Sequence, residues 1–296
     1  MNIAILMSTY NGSKYLDEQL ESLSKQTMVS YMTVYIRDDG SSDNTIEIIN
    51  SYKNRLSIEL LEEENVGPAR SFWILLNKVT GADYYLFCDQ DDVWDYNKVE
   101  KSISLLNGHT VLAACNCRLI DGEGKVISPI RLSEQPYISI PSLFVSGFTQ
   151  GCSIAFTGQL RKKIVNSNIH CVPMHDIITI LYGMNLGEIK WIDTPLFSYR
   201  IHGSNVVAKN KSVIDNIKRT FWNWKNTRKN SMANVALELL KNEVELSGED
   251  IVFLTCMANY RGSMKNKIRI ITNKKTLISN RKALRSFRIR TILNLI

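Results

Sequence analysis

Tyr84-Tyr85-Leu86-Phe87-Cys88-Asp89-Gln90-Asp91-Asp92-Val93-Trp94 sets an unbroken apolar and aromatic run directly against three carboxylates. The run reads as a buried strand. Three acids so close together repel one another unless they bind something. Carboxylates at alternating positions just past a strand end suit a hard divalent ion, Mg²⁺ or Mn²⁺, which keeps some water and takes its remaining ligands from a substrate phosphate. Asp89 and Asp91 form the natural pair. The plainer alternative is an acidic cap for a helix beginning near Tyr96, with Asp92 or Asp95 complementing its dipole.

Three similar units lie upstream. Asn2 to Met7 is continuously apolar, then Ser8-Thr9-Tyr10-Asn11-Gly12-Ser13 turns the chain into a segment with Leu16, Leu20 and Leu23 at helical spacing. Thr33 to Ile36 leads through Arg37-Asp38-Asp39-Gly40-Ser41-Ser42-Asp43 to Ile46 and Ile49. Ser57 to Leu61 leads through Asn65-Val66-Gly67-Pro68 to a third helix, with Pro68 in its first turn. Strands alternating with helices predict an α/β fold, a mostly parallel, Rossmann-like sheet flanked by helices. Ligands of such sheets bind outside the carboxyl ends of the strands, where all four polar loops fall together. No Gly-x-Gly-x-x-Gly and no Gly-x-x-x-x-Gly-Lys-Ser occurs, so a nucleotide diphosphate bound there needs another way to be neutralised, and a carboxylate-held metal supplies one. Asp38 and Asp39 can accept hydrogen bonds from a base or ribose, or simply shape a turn with an N-cap at Ser42.

Downstream, a helix with Val99, Ile103 and Leu106 precedes a buried strand from Thr110 to Cys115, and Asp121-Gly122-Glu123-Gly124 marks a hairpin turn. Residues 128–150 show no clear period and read as a loop on the rim. Gly147 and Gly151 imply tight turning before a short strand from Ser153 to Phe156. His175-Asp176 opens an apolar helix, where Asp176 is a helix cap or a reactive carboxylate. Arg200 and His202 alternate on one face of an extended segment that ends in a turn. From about Lys209 the pattern is helical, with Val213, Ile217, Phe221, Trp222 and Trp224 forming an aromatic amphipathic stretch, followed by a strong helix from Ala233 to Leu246.

The length of 296 residues fits one large domain with an appendage. The net charge of +7 misleads as an average, because residues 261–296 hold 11 Lys or Arg and no Asp or Glu, leaving 25 basic against 29 acidic side chains in the first 260. The tail interleaves these cations with Ile268, Ile270, Ile271, Leu277, Ile278, Leu284, Phe287, Ile289, Ile292 and Leu293. Such a tail suits an anionic membrane surface, or else packs its apolar residues inward and leaves the cations solvated. The acidic body and the absence of a recognition motif argue against nucleic acid. The N-terminus has neither the charges of a signal peptide nor the length of a membrane span, and the six scattered cysteines, with no C-x-x-C, fit reduced thiols in a cytoplasmic protein rather than a zinc site.

With STYNG (8–12), RDDGSSD (37–43), NVGPARSF (65–72), CDQDDVW (88–94), HD (175–176) and YRIHGSN (199–205) in this order, residues 1–205 resemble family 2 glycosyltransferases of the GT-A fold, particularly bacterial rhamnosyltransferase-like enzymes. The resemblance implies a catalytic domain over 1–205 and a helical, basic C-terminal extension over 206–296. It implies base and ribose contacts from Thr9, Tyr10, Asn11, Asp38, Asp39, Asn65 and Gly67, and a DXD motif at Asp89 and Asp91 holding ribose and metal, with His202 as a further metal ligand. It points to Asp176 as the catalytic base of an inverting enzyme. His175 stands where many relatives have Glu, and is left as a candidate acceptor contact. The Gln-x-x-Arg-Trp signature of processive synthases is absent, which implies one sugar per encounter.

Arg200 is expected to help absorb charge on the leaving diphosphate, and Trp94, Gly151 and residues 128–150 to border the sugar pocket. The expected donor is dTDP-rhamnose, with a UDP-hexose (galactose, glucose or GlcNAc) as the alternative. The expected acceptor is a lipid-linked saccharide of capsule or O-antigen assembly, met at the inner face of the membrane. Two readings of other classes are a nucleotidyltransferase, whose basic glycine-rich loop STYNGSKY does not supply, and an inactive nucleotide-sugar-binding scaffold.

Overall fold

Four apolar runs build the parallel half of a nine-stranded sheet. The computed structural model describes residues 1–167, 169–203, 231–242, 245–276, 278 and 280–296. Strands β1 (Ile3–Thr9), β2 (Met32–Asp38), β3 (Ile58–Glu62) and β4 (Tyr84–Cys88) lie in the order β3-β2-β1-β4. Their register sets Thr9 against Asp38, Asp38 against Glu62, and Met7 against Cys88, so the loops that follow leave from one edge. β1 is buried on both faces, which explains its unbroken apolar sequence. Helices α1 (Leu16–Ser24), α2 (Thr45–Ser51) and α3 (Pro68–Lys78) return the chain between these strands. Leu16, Leu20 and Leu23 of α1 sit fully buried in a core with Ile5, Met7, Val34, Ile36 and Leu86. Each such leucine contributes about 1.5–3 kcal/mol by leaving water.

The remaining strands are β5 (Val93–Trp94), β6 (Thr110–Ile120), β7 (Val126–Ser128), β8 (Ile154–Thr157) and β9 (Glu188–Arg200), which continue the sheet as β8-β6-β9-β5, with β7 paired to β6. Here the sheet departs from parallel order. β8 runs antiparallel to both β4 and β6, with Leu86 opposite Ala155. β6 already ends at the rim, so the strand that begins there must descend, and its first residues stand beside the end of β4. β9 runs parallel to β6 and antiparallel to β5, with Val93 opposite Ser198. The Asp121–Gly124 turn joins β6 to β7, with Gly124 at φ +83° and Asp121 accepting from the amides of Glu123 and Lys125. Helices α4 (Lys98–Ile103), α5 (Ile140–Val145), α6 (Gly158–Asn166) and α7 (His175–Leu186) complete this part of the chain.

The chain divides into two compact units: one within residues 1–135, 149–166 and 174–208, the other within 136–148, 167–173 and 209–296. The second therefore takes in two segments that the sequence pattern places with the first. Within 136–148 the expected loop holds α5, fixed by a capping box between Ser139 and Ser142 with Pro141 in the first turn. The second unit also holds α8 (Met232–Lys241), α9 (Gly248–Ala258), α10 (Met264–Ile271) and α11 (Arg281–Ile292). Phe144 meets Phe253 edge-on at 5.5 Å, and the Glu238 carboxylate accepts from the amide of Cys171. The stretch from Val213 to Trp224, the end of the YRIHGSN motif at Ser204 and Asn205, the 205/206 boundary and Leu277 lie outside the described residues. No helix among the described residues is long and apolar enough to cross a membrane.

Candidate active site

Asp38 and Asp39 tie neighbouring loops together at the ends of β1 and β2. Asp38 accepts from Thr9 Oγ1 at 2.9 Å and from the Ser41 amide at 2.8 Å. Asp39 accepts from the amides of Val66 and Gly67, each at 2.8 Å, and pairs with the buried Arg37 guanidinium. Gly67, at φ +82°, can adopt the left-handed backbone that this loop needs before Pro68 starts α3. Asn11, at φ +46°, accepts the Ser42 amide at 2.8 Å. Tyr10 and Asn65 point outward, Tyr10 being 49% exposed. The side chain of Gln90 brackets the Tyr10 backbone, accepting from its amide at 2.9 Å and donating to its carbonyl at 3.1 Å. Sequence reasoning passed over Gln90 because a glutamine between two aspartates carries no charge signal.

The acidic stretch follows β4 onto the same edge. Asp91 Oδ2 lies 2.7 Å from His202 Nε2, and the His202 ring packs on Tyr15 at 4.8 Å. Ligand atoms of Asp89, Asp92 and Cys152 lie within 4.8 Å of one another. Burial, then the charge of Asp91, pushes the Asp89 carboxyl up to about 7. Burial, then the charge of Asp89, pushes Asp92 well above the usual carboxylate range. Asp92 accepts the Arg200 amide at 3.1 Å through one oxygen, while its other oxygen is buried with no hydrogen-bond partner. Burial, with Asp92 and Asp89 beside it, raises the Cys152 thiol as well, so it stays protonated.

Crowded carboxylates with an orphaned buried oxygen form a group that could hold a metal ion. Asp92 and Cys152 were missed as members of this cluster. The third acid of the motif was a visible signal; the thiol arrives from the short turn Gly151–Ser153 that leads into β8, whose antiparallel direction the sequence pattern did not give.

Asp176 stands in the first turn of α7 and accepts the Ile177 amide at 2.8 Å. Burial raises its carboxyl to about 6, and its charge is felt at Asp89. The short turn Gly151–Ser153 before β8 lies against the start of α7: a Cβ on Gly151 would stand 2.7 Å from His175 Nε2 and 3.5 Å from Asp176 Cβ. The imidazole cannot swing clear, because it stacks on Phe72 at 4.1 Å and meets Phe87 edge-on at 4.5 Å. Gly151→Ala is therefore expected to cost about 1–3 kcal/mol by overpacking. Denaturant unfolding checks it; a wild-type stability would contradict this packing.

Three expectations change. His175 is not an acceptor contact: it is buried, both ring nitrogens lack hydrogen-bond partners, and burial drives its pKa down to about 3, so it is a neutral spacer among aromatic rings. Arg200, expected at the leaving diphosphate, is buried instead. It is 1% exposed, donates to the Asp91 carbonyl at 2.9 Å and to Glu18 at 2.6 Å, and lies over the Tyr15 ring. It shapes the Asp91 loop from beneath. Trp94, 3% exposed, does not border an open pocket; pairing with Phe197 turns it into the core, with Lys98 Nζ 3.5 Å above its ring.

The sequence profile described as glycosyl transferase family 2 matches residues 4–167. An uncharacterized glycosyltransferase of a Nostoc species is 27% identical over 216 residues, 69% of this chain and 66% of that protein. A dTDP-rhamnosyl transferase of Shigella flexneri is 26% identical over 229 residues, 72% of this chain and 77% of that protein. Among first-ranked relatives the match thus spans less than two thirds of the partner's length, down to 60% for mycobacterial proteins. In structure the chain is similar to the Staphylococcus aureus protein TarS in complex with UDP-GlcNAc, with a TM-score of 0.64 at 17% identity over 99% of this chain and 82% of that one. It is also similar to a Pyrobaculum calidifontis mannosyltransferase in complex with GDP-Man and Mn²⁺, with a TM-score of 0.55 at 13% identity over 99% and 74%. These likenesses show the GT-A fold.

Proposed function

The chain belongs to glycosyl transferase family 2, and on that footing we propose that it is an inverting enzyme that moves one sugar from a nucleotide-diphosphate donor to a saccharide hydroxyl. The observation that carries this reading is the meeting of Asp176, raised to about 6, with the Asp89–Asp91–His202 group at one sheet edge.

A divalent cation, Mn²⁺ or Mg²⁺, bound by Asp91 and His202 with Asp89 beside them would offset negative charge on the departing diphosphate. Asp176 takes the proton of the acceptor hydroxyl as that oxygen forms its bond to the anomeric carbon and the bond to diphosphate breaks. One in-line displacement inverts the centre. A carboxyl near 6 is largely ionised at neutral pH yet more basic than an ordinary aspartate, which suits a general base. Exposed Tyr10 and Asn65 are the rim groups best placed to touch the nucleoside, while Thr9, Asn11, Asp38, Asp39 and Gly67 hold the loops that carry them.

dTDP-rhamnose is the first donor, supported by the Shigella relative. A UDP-hexose is the second, supported by the fold shared with the TarS complex. The acceptor is a lipid-linked saccharide of surface polysaccharide assembly at the cytoplasmic face of the membrane. A thermal-unfolding panel of nucleotide-sugars with Mn²⁺ tests the donor: the cognate one, at a hundredfold to thousandfold excess over its dissociation constant, should stabilise the fold by about 3–4 kcal/mol. No shift with any dTDP-, UDP- or GDP-sugar would overturn the transferase reading.

A further inference from the structure

From the last two helices we infer that the second unit carries a docking face for anionic phospholipid. The apolar residues of α10 and α11 divide in two. Ile270, Leu284 and Phe287 are buried within the unit, whereas Met264, Ile268, Ile289, Ile292 and Leu293 are each about half exposed or more. On α11 and at its C-cap, Ile289 is followed three and four residues later by Ile292 and Leu293. Lys282 and Arg285 continue the same stripe toward the N-terminus, both exposed. On α10, exposed Lys265 and Arg269 flank exposed Met264 and Ile268. The two helices are tied together, since the buried Lys267 donates to the Ile292 carbonyl at 2.8 Å.

The occupant follows from chemistry. Residues 261–296 contain no acid, and none of Lys265, Arg269, Arg281, Lys282 and Arg285 pairs with a carboxylate among the described residues; Lys275 is the tail cation that does, with Glu249. A face with unpaired cations and aliphatic side chains matches a surface that is anionic at the headgroups and hydrocarbon just beneath. Nucleic acid would instead be met by stacking rings, and the one aromatic residue of α11, Phe287, is turned inward. The inference does not rest on the transferase reading, because neither sugar donor nor metal takes part.

Co-sedimentation of the full chain with phosphatidylcholine vesicles, with and without phosphatidylglycerol, tests it. Phosphatidylglycerol should tighten binding at least tenfold, and high salt should reverse it. Lys282→Gln and Arg285→Gln should each weaken partitioning about fivefold. Ile289→Ser with Leu293→Ser should weaken it by roughly tenfold or more while the thermal-unfolding midpoint without lipid stays that of the wild type. Equal binding to both vesicle types, binding to neither, or binding indifferent to salt would overturn the inference. So would lipid-free self-association abolished by the Ile289→Ser, Leu293→Ser pair, which would assign the face to a second copy. The wild-type arms decide the matter without the variants.

Discussion

Asp176→Asn is expected to lower the rate of sugar transfer by about two to four orders of magnitude while leaving nucleotide-sugar affinity nearly unchanged. Asparagine keeps the size of the side chain and an oxygen for the Ile177 amide, so the turn at the start of α7 stays intact. What is lost is the capacity to take a proton. In the wild type the rate should climb with pH through a midpoint near 6, where burial places this carboxyl, and level off above it. The variant should lack that limb.

The same shift has a consequence for stability. A carboxyl raised from an ordinary value near 3.8 to about 6 makes the folded protein hold its proton longer than the unfolded chain. Its contribution to stability is full below pH 3.8 and lost as pH rises through 6, which leaves the ionised group destabilising at neutral pH by on the order of 2–3 kcal/mol. Asp176→Asn should therefore be slower yet more stable at pH 7. A variant that transfers sugar at the native rate would remove Asp176 from the chemistry. One that loses donor binding along with rate would make it a structural residue.

Removing the cation should have an effect as large. Transfer is expected to fall to background in excess chelator and to return with Mn²⁺ or Mg²⁺. The buried carboxylates explain why. Asp89 is raised by burial and by the charge of Asp91, Asp92 by burial and by the charge of Asp89, and one oxygen of Asp92 has no hydrogen-bond partner. A bound cation relieves all three penalties at once. His202→Ala removes the imidazole that stands 2.7 Å from Asp91 and should weaken metal affinity by roughly tenfold to a hundredfold, read as a loss of Mn²⁺-induced thermal stabilisation as well as of rate. Full activity in chelator would take Asp89, Asp91 and His202 out of this role.

The parallel half of the sheet was legible because period and position speak together there. A strand buried on both faces has no polar residue to spare, so Ile3–Thr9 and Tyr84–Cys88 stand out, and the polar residues that follow must lie at strand ends. The other half was harder. β8 has four residues, all buried, and nothing in Ile154–Thr157 says which way it runs. That direction brings Cys152 and Gly151 to the rim, so a thiol in the acidic cluster and a glycine against His175 could not be foreseen. Arg200 and His202 were rightly placed on one face, since both pack on the ring of Tyr15. Their depths differ, because strand pairing draws Arg200 beneath the Asp91 loop while His202 lies just beyond the strand. Alternation reports the face of a side chain and is silent about what lies above it. The same silence explains Trp94 and His175, residue types common at binding sites that here fill the interior.

The cation at the strand ends is the claim on which the mechanism depends. Titration of Mn²⁺ into the protein with a nucleoside diphosphate present, followed by electron paramagnetic resonance, tests it most directly. A cation held as proposed by Asp89, Asp91 and His202 predicts about one tightly held Mn²⁺ per chain, lost when Asp91→Asn and His202→Ala are combined. No tight Mn²⁺ in the wild type, or the same Mn²⁺ in the double variant, would contradict it.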